Sequence, residues 1–157
     1  MKISQNPEKT RSIYDSLSCW YDILSSPAEN LARRQAETLL EIQAGDRILE
    51  IGCGTGTASI EMGKKVGAFG FVYALDLSQK MLKVAQRKLK KHKHKIGVEL
   101  ICGDAGALPF STGCMTGILI SFTLELFSDR EIQIVLQECK RVLGSASRLS
   151  VVSVSKS

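Results

Sequence analysis

Several signals that would send the reading elsewhere are missing from this chain. No stretch approaches the roughly 20 consecutive apolar residues of a membrane span, and the polar start MKISQNPEKTR has no apolar core of a signal peptide. Both absences point to a protein of the cytoplasm with no integral membrane segment. The five cysteines (Cys19, Cys53, Cys102, Cys114, Cys139) are odd in number and form no C-x-x-C pair, which leaves neither a disulfide framework nor a zinc site. They read as reduced, small and mostly buried. His92 and His94 stand two apart, on different faces of a helix, and make a poor metal pair; no metal is expected. G-x-S-x-G elbows, Cys/His pairs and metal clusters are absent too. Their absence does not count against an enzyme, since some group transfers need no side-chain nucleophile.

Acidic residues are missing from one region in particular. From 80 to 95 the chain carries Lys80, Lys83, Arg87, Lys88, Lys90, Lys91, Lys93 and Lys95 with no Asp or Glu, so the formal charge of +5 is largely local. The run reads as a solvated helix face whose last turn offsets the negative end of the helix dipole. The other reading is contact with anionic lipid or nucleic acid. No aromatic residues interleave the lysines, so a stacking platform for single strands is not built here and no nucleic-acid partner is expected. With 157 residues, 44% hydrophobic and 24% charged, the chain has the composition of one ordinary globular domain.

What is present centres on ILEIGCGTG, residues 48–56. A β-prone apolar run meets Gly52, Gly54 and Gly56 at alternate positions, and an amphipathic segment with Ala58, Met62 and Val66 follows. The order is strand, tight loop, helix, and bare backbone in such a loop lets a nucleotide lie against it. A dinucleotide fingerprint G-x-G-x-x-G/A requires a small third residue five places after the first glycine. Thr57 and Ser59 occupy the two candidate places, which disfavours NAD. Asp76 ends the next strand, 71–75, where an open α/β sheet gathers its strand ends. It can accept both hydroxyls of a ribose or help Ser78 cap the helix of Met81, Leu82, Ala85 and Leu89.

The remaining chain alternates strand and helix. A third strand over 97–102 leads to Gly103-Asp104-Ala105, where Asp104 suits an adenine amino group, or else is a surface turn residue. A fourth strand over 118–122 is apolar enough to be covered on both faces. Ser128 and Glu131 form a capping box for a helix with Ile132, Val135, Leu136, Cys139, Val142 and Leu143 inward, ended by Gly144. A fifth strand covers 149–154. Before the glycine loop, residues 1–43 read as a helical cap with one helix over 11–24 and a second whose inner face is Leu31, Gln35, Thr38 and Leu39. Tyr14 and Tyr21 in the first helix are core residues by default, with a second role open to them beside a cationic ligand. Residues 44–157 form the α/β core.

The segments YDSLSCWYD, ILEIGCGTG, ALDLS with Met81, GDAGALPF, and ISFTLELF leading to LQECKRVL, in this order, resemble the ubiquinone/menaquinone-biosynthesis C-methyltransferases, within the seven-stranded S-adenosylmethionine-dependent family. The resemblance implies an α/β, Rossmann-like three-layer sandwich with a mainly parallel sheet of about five strands, lacking the last two strands of the family fold. It implies S-adenosyl-L-methionine as cofactor and a small-molecule or lipid-like methyl acceptor. The motif from Glu50 through Gly52, Cys53, Gly54 and Gly56 would lie under the methionine end, and Asp76 on the ribose. Asp104 and Ala105 would meet the adenine, Leu77 and Met81 would flank it, and Phe122 would lie near the sulfonium. Met115-Thr116 stands where the family has Phe-Asp, and Gly144-Ser145-Ala146-Ser147 where it has Lys-Pro-Gly-Gly. No catalytic base is evident; Glu125 is the nearest candidate.

The short C-terminus leaves an apolar fifth-strand edge, LSVVSV, as a surface for self-association or a partner chain. It also raises two further readings: a cofactor-binding regulatory subunit without turnover, and an inactive fragment of a longer methyltransferase.

Overall fold

The computed structural model describes residues 26–92 and 96–154. The expected helix over 11–24, with Tyr14 and Tyr21, lies outside them, as do Cys19, Lys93, His94 and Lys95.

Helix α1 (Pro27–Leu39) opens on a capping box: Ser26 Oγ accepts from Glu29 N at 3.1 Å, and Glu29 Oε2 accepts from Ser26 N at 3.2 Å. Pro27 stands in its first turn, where a missing N–H costs nothing. The helix exists as expected, but its inner face is different. Leu31 and Leu39 are 59% and 69% exposed, and Gln35 and Thr38 are exposed as well. The buried residues are Ala36, Glu37 and, just past the helix, Leu40. A small side chain and a buried carboxylate carry little hydrophobic signal, so the leucines dominated the periodicity.

Strand β1 (Arg47–Ile51) leads through the glycine loop to α2 (Thr57–Val66), β2 (Phe71–Asp76), α3 (Gln79–Lys90) and β3 (Val98–Cys102). Then come β4 (Met115–Ser121), a 3-10 turn (Leu124–Leu126), α4 (Asp129–Val142) and β5 (Leu143–Val152). The five strands form one sheet in the order β3-β2-β1-β4-β5, and every pairing is parallel. Helices lie on both faces. Ile48, Val72 and Leu119 pack with Ala36, Ala58, Met62 and Val66 of α1 and α2. Leu49, Ile51, Ile118 and Ile120 pack with Val135, Cys139 and Val142 of α4. Alternation along β1 therefore turns Glu50 toward the α1 and α2 side. Burying one such leucine or isoleucine contributes ~1.5–3 kcal/mol.

Three boundaries differ from the sequence expectations. β4 begins at Met115, which pairs with Leu143 of β5, and beside it Thr116 Oγ1 accepts from Arg47 N at 3.0 Å. It ends at Ser121, since Phe122 turns out of the strand with φ 48°. α4 ends at Val142, and the chain enters β5 at once through Leu143, whose φ and ψ are −71° and 132°. Gly144 is thus no helix cap. It is small for want of room: a Cβ there would stand 3.1 Å from the Gly113 carbonyl oxygen. The left-handed residue of this connection is Ala146, φ 58°, within a register shift that pairs Leu143 with Met115 and Arg148 with Gly117. Leu136, expected inside, is 38% exposed.

The segment between β3 and β4 is clasped to α4. Arg141 donates to the carbonyls of Phe110 (2.7 Å) and Leu108 (3.0 Å) while bonding both oxygens of Glu138. Glu138 in turn accepts from Leu108 N at 2.7 Å, and these bonds hold its carboxyl below the usual range.

Candidate functional site

Parallel register places the C-terminal ends of β1, β2 and β4 side by side, with Ile51 opposite both Leu75 and Ile120. Gly52, Asp76 and Ser121 therefore emerge together at the point where the strand order reverses. Open α/β sheets place their ligands at that point.

The loop after β1 holds left-handed φ at Gly52 (74°), Gly54 (53°) and Gly56 (80°), a conformation costly for residues with a Cβ. The three glycines face different surroundings. A Cβ on Gly52 would strike Thr123, with Oγ1 2.2 Å away, and one on Gly56 would meet Ala85 Cβ of α3 at 2.8 Å. One on Gly54 would meet nothing within 4 Å: it would project into a cavity of about 240 Å³ that Gly54 lines. Gly54 N donates to Asp76 Oδ2 at 2.8 Å, and Ser78 N to Asp76 Oδ1 at 2.8 Å. Asp76 is buried and lines the cavity, so its carboxylate is oriented by backbone before any ligand arrives.

Glu50 forms part of the cavity wall and is 2% exposed. The buried Ser59 hydroxyl of α2 donates to its Oε2. Burial pushes the Glu50 carboxyl up to about 8; the Ser59 bond opposes the rise and nearby Glu37 adds to it. Burial likewise raises the Cys53 thiol, leaving it an unreactive wall residue. Leu77 and Met81 line the cavity from the start of α3, and Phe122 from beyond β4. Phe122 holds φ 48° here, a strained conformation for a large residue. Glu125 is also in the lining, its carboxylate accepting from Ser153 Oγ at 2.8 Å.

Of the residues expected at the site, Glu50, Gly52, Cys53, Gly54, Asp76, Leu77, Met81 and Phe122 come together around this cavity. Gly56 lies behind it, packed on α3. Asp104 and Ala105 are outside the lining. Asp104 is exposed and accepts from Gly106 N at 2.8 Å in a local turn, while Ala105 belongs to the core beneath α4. Tyr14 and Tyr21 lie outside the described residues.

Sequence reasoning missed Asn30 and Arg33 of α1, Thr55 of the loop and Thr57 at the start of α2, and Ser121 at the end of β4 with Thr123 just past it. The last four were within reach, since Thr55 sits in the glycine motif, Thr57 directly after it, and the other two at a strand end beside it. The basic face of α3 is not wholly solvated: Lys88 Nζ donates to the hydroxyls of Thr55 (2.9 Å) and Thr57 (3.2 Å).

A parallel sheet with a glycine loop and an oriented carboxylate at its reversal point defines a nucleoside-binding α/β protein of the Rossmann-like methyltransferase class. Its spacing, with Thr57 where a dinucleotide binder needs a small residue, narrows the class. The sequence profile of the ubiE/COQ5 methyltransferase family matches residues 2–157, and the chain belongs to that family. It is 33% identical over 153 residues to a demethylmenaquinone methyltransferase of Listeria welshimeri, covering 95% of this chain and 64% of that protein. It is also 33% identical over 154 residues to one from Lactococcus lactis, covering 96% and 60%. The chain thus spans less than two thirds of the length of these relatives.

Among solved structures, a SAM-dependent methyltransferase from Aquifex aeolicus matches with TM-score 0.67 and 24% identity, covering 96% of this chain and 73% of that one. The [4+2]-cyclase SpnF matches with TM-score 0.80 and 18% identity, covering 96% and 62%. At such identities the likeness is one of fold, and the cyclase illustrates that the fold does not fix the reaction.

The cavity suits adenosylmethionine on two observations. Gly54 offers a bare-backbone cradle that a Cβ would fill. Asp76 presents a buried carboxylate beside it, the acceptor chemistry that a ribose diol requires.

Proposed function

We propose that the chain binds S-adenosyl-L-methionine in this cavity and transfers its methyl group to a small or lipid-like acceptor of the quinone type. The observation that carries the reading is the Gly54–Asp76 pair, a bare-backbone cradle and a fixed ribose acceptor at the strand-order reversal. Family membership supports it. The acceptor class comes from the relatives named demethylmenaquinone methyltransferases.

The bound cofactor supplies a methyl group already activated by the sulfonium, so catalysis rests on positioning and on excluding water. In this reading Asp76 holds the ribose, and Leu77 and Met81 flank the base. Gly52 and Gly54 support the methionine end, with Cys53 and Gly56 shaping the loop. Phe122 borders the reacting centre. Glu50 offers a carboxylate toward the cationic end of the ligand. Asp104 and Ala105 reach the adenine only if the 103–107 turn closes onto the ligand. Residues 1–43 act as a cap, of which α1 already supplies cavity wall through Glu29, Asn30 and Arg33. Tyr14 and Tyr21 belong to the same cap.

Among the described residues no helix is long and apolar enough to cross a membrane. A cytoplasmic setting fits the free cysteines Cys53, Cys102, Cys114 and Cys139. The outer edge of β5 is proposed as a surface for a second copy or another chain. β5 is the last strand in the sheet order, and Leu149 and Val151 along it are about two-fifths exposed.

Calorimetry with adenosylmethionine, adenosylhomocysteine and NAD tests the cofactor: binding of the first two and not the third is expected, and no binding of either defeats the proposal. Methyl transfer to a demethylated quinol in detergent micelles, with Asp76→Ala as control, tests the reaction. Sedimentation tests the edge, and a monodisperse monomer at high concentration would sink that part.

A further inference from the structure

Helix α3 and its C-cap Lys91 carry six cations, Lys80, Lys83, Arg87, Lys88, Lys90 and Lys91, and no acid. The helix packs on the sheet through Met81, Leu82 and Ala85, all buried. At 3.6 residues per turn, Lys80, Lys83, Arg87, Lys90 and Lys91 fall within an arc of about 100° on the opposite side. All five are exposed, and none takes part in an ion pair among the described residues. Lys88 stands apart from them, donating to Thr55 and Thr57.

The helix dipole accounts for cations in the last turn, but Lys80 lies in the first, where the dipole disfavours them. Within the stripe Lys80 and Lys83 repel at i,i+3, and Lys83 and Arg87 at i,i+4, as do Arg87 and Lys91. Neighbouring elements do not neutralise the stripe. Glu61 of α2 is held by Lys64 at 2.7 Å. Glu99 of β3 stands opposite Tyr73, and alternation turns both toward the α4 side, away from Val98 and Leu100 beneath α3.

An apolar contact is available at one end of this face. α3 runs back along the sheet from the end of β2 to the start of β3, so Lys90 and Lys91 stand where the connection from α2 to β2 turns. Phe69 in that connection is 92% exposed. The chain leading into β3 touches the same turn: Val72 N donates to the Gly97 carbonyl at 2.7 Å, and a Cβ on Gly97 would stand 2.7 Å from the Gly70 carbonyl oxygen. At its other end the stripe begins at Lys80, between Leu77 and Met81 of the cavity lining.

We infer that the outer face of α3, with Phe69 at its end, docks on an anionic lipid surface. Unpaired cations in one stripe fit a plane of lipid phosphates, each charge near the surface tightening the contact about 5-fold. One exposed aromatic ring fits the headgroup layer. Single-stranded nucleic acid fits less well, because no aromatic residue interleaves the cations. The inference rests on α3 and Phe69 and not on the cofactor reading, so either can fail without the other.

Flotation of the full chain with vesicles tests it, using phosphatidylcholine alone and phosphatidylcholine with about one third phosphatidylglycerol. Binding to the anionic vesicles only, and its loss as salt rises from about 0.05 M to 0.5 M, is expected. Lys83→Gln with Arg87→Gln should weaken that binding roughly 10–30-fold, with a melting temperature no lower than that of the unmodified chain, since like charges are removed. Phe69→Ser should weaken it about 3-fold or more. Arg130→Gln with Lys140→Gln removes the same charge from α4 on the opposite face of the sheet and should change binding less than about 3-fold. Equal weakening by the two double variants would assign the effect to net charge and overturn the inference. So would equal binding to neutral vesicles, or no flotation with the anionic ones. Tighter binding to a duplex oligonucleotide than to the anionic vesicles, at matched salt and phosphate concentration, would assign the face to nucleic acid and overturn it as well.

Discussion

Gly54 and Asp76 are 22 residues apart in the chain and joined by one hydrogen bond, 2.8 Å from the Gly54 amide to Asp76 Oδ2. The loop that receives a ligand and the carboxylate that orients it are therefore a single device. Asp76→Asn replaces one of two acceptor oxygens with an amide donor that faces a backbone N–H. Each bond of this charged kind contributes ~1.5–3 kcal/mol. The variant is expected to lose on the order of 10–100-fold in adenosylhomocysteine affinity and to melt at a lower temperature, read by calorimetry and thermal denaturation. Unchanged affinity would remove Asp76 from the binding site.

Glu50 makes the empty protein sensitive to pH. Burial raises its folded-state carboxyl from 4.5 to about 8, so between those values the folded chain holds a proton that the unfolded chain has released. Its contribution to stability is full below pH 4.5 and declines as pH rises toward 8, by up to about 1.4 kcal/mol per unit. Glu50→Gln should flatten that decline in denaturant titrations at pH 5, 6, 7 and 8. A cationic ligand favours the ionised form, so adenosylmethionine should bind the unmodified chain more tightly as pH approaches 8 and release a proton below it. Calorimetry in two buffers of different ionisation enthalpy detects the proton, and identical heats would refute the linkage.

Gly54→Ala and Gly56→Ala should separate binding from stability. Both force a Cβ into left-handed backbone, at ~1–2 kcal/mol. At Gly56 the added carbon also meets Ala85 Cβ at 2.8 Å, so its melting temperature should fall by roughly 4–8 °C. At Gly54 the carbon enters the cavity, so the larger loss should be in ligand affinity. Matching profiles for the two variants would count against the cradle.

Ser128→Ala removes the cap of α4, where Ser128 Oγ accepts from Glu131 N and Glu131 Oε2 accepts from Ser128 N at 2.7 Å. A loss of about 1 kcal/mol is expected. Because α4 carries Glu138 and Arg141, hydrogen exchange at the Leu108 amide should quicken in the same variant. Exchange confined to the first turn of α4 would mean that the clasp does not depend on the cap.

How much of this was legible depended on which signals were apolar or glycine-based. The strands β1 to β3 and the helices α2 and α3 follow from runs such as RILEI and the Ala58, Met62, Val66 spacing, since burial there is hydrophobic. Gly52 and Asp76 were legible because backbone conformation and strand-end position leave a mark on residue type. The inner face of α1 was not, because it buries Ala36 and Glu37, and a paired carboxylate looks like a surface residue in a sequence. Arg33 was hidden for the same reason. Gly144 misled because a glycine needed for space and one needed for φ look alike. Asp104 was read by its place after β3, whereas its carboxylate turns back to Gly106 N.

The pairing of β1 with β4 has a consequence for the order in which the protein takes shape. Arg47 and Thr116, joined across those strands, lie 69 residues apart, a separation that a ribosome covers in on the order of ten seconds. During that interval β1 can find β2, so the Gly54 amide can meet Asp76 early. The opposite wall, with Ser121, Phe122 and Thr123, does not yet exist. A chain made only as far as β2 therefore carries the residues of the loop and carboxylate half of the cavity and lacks those of the wall that β4 supplies.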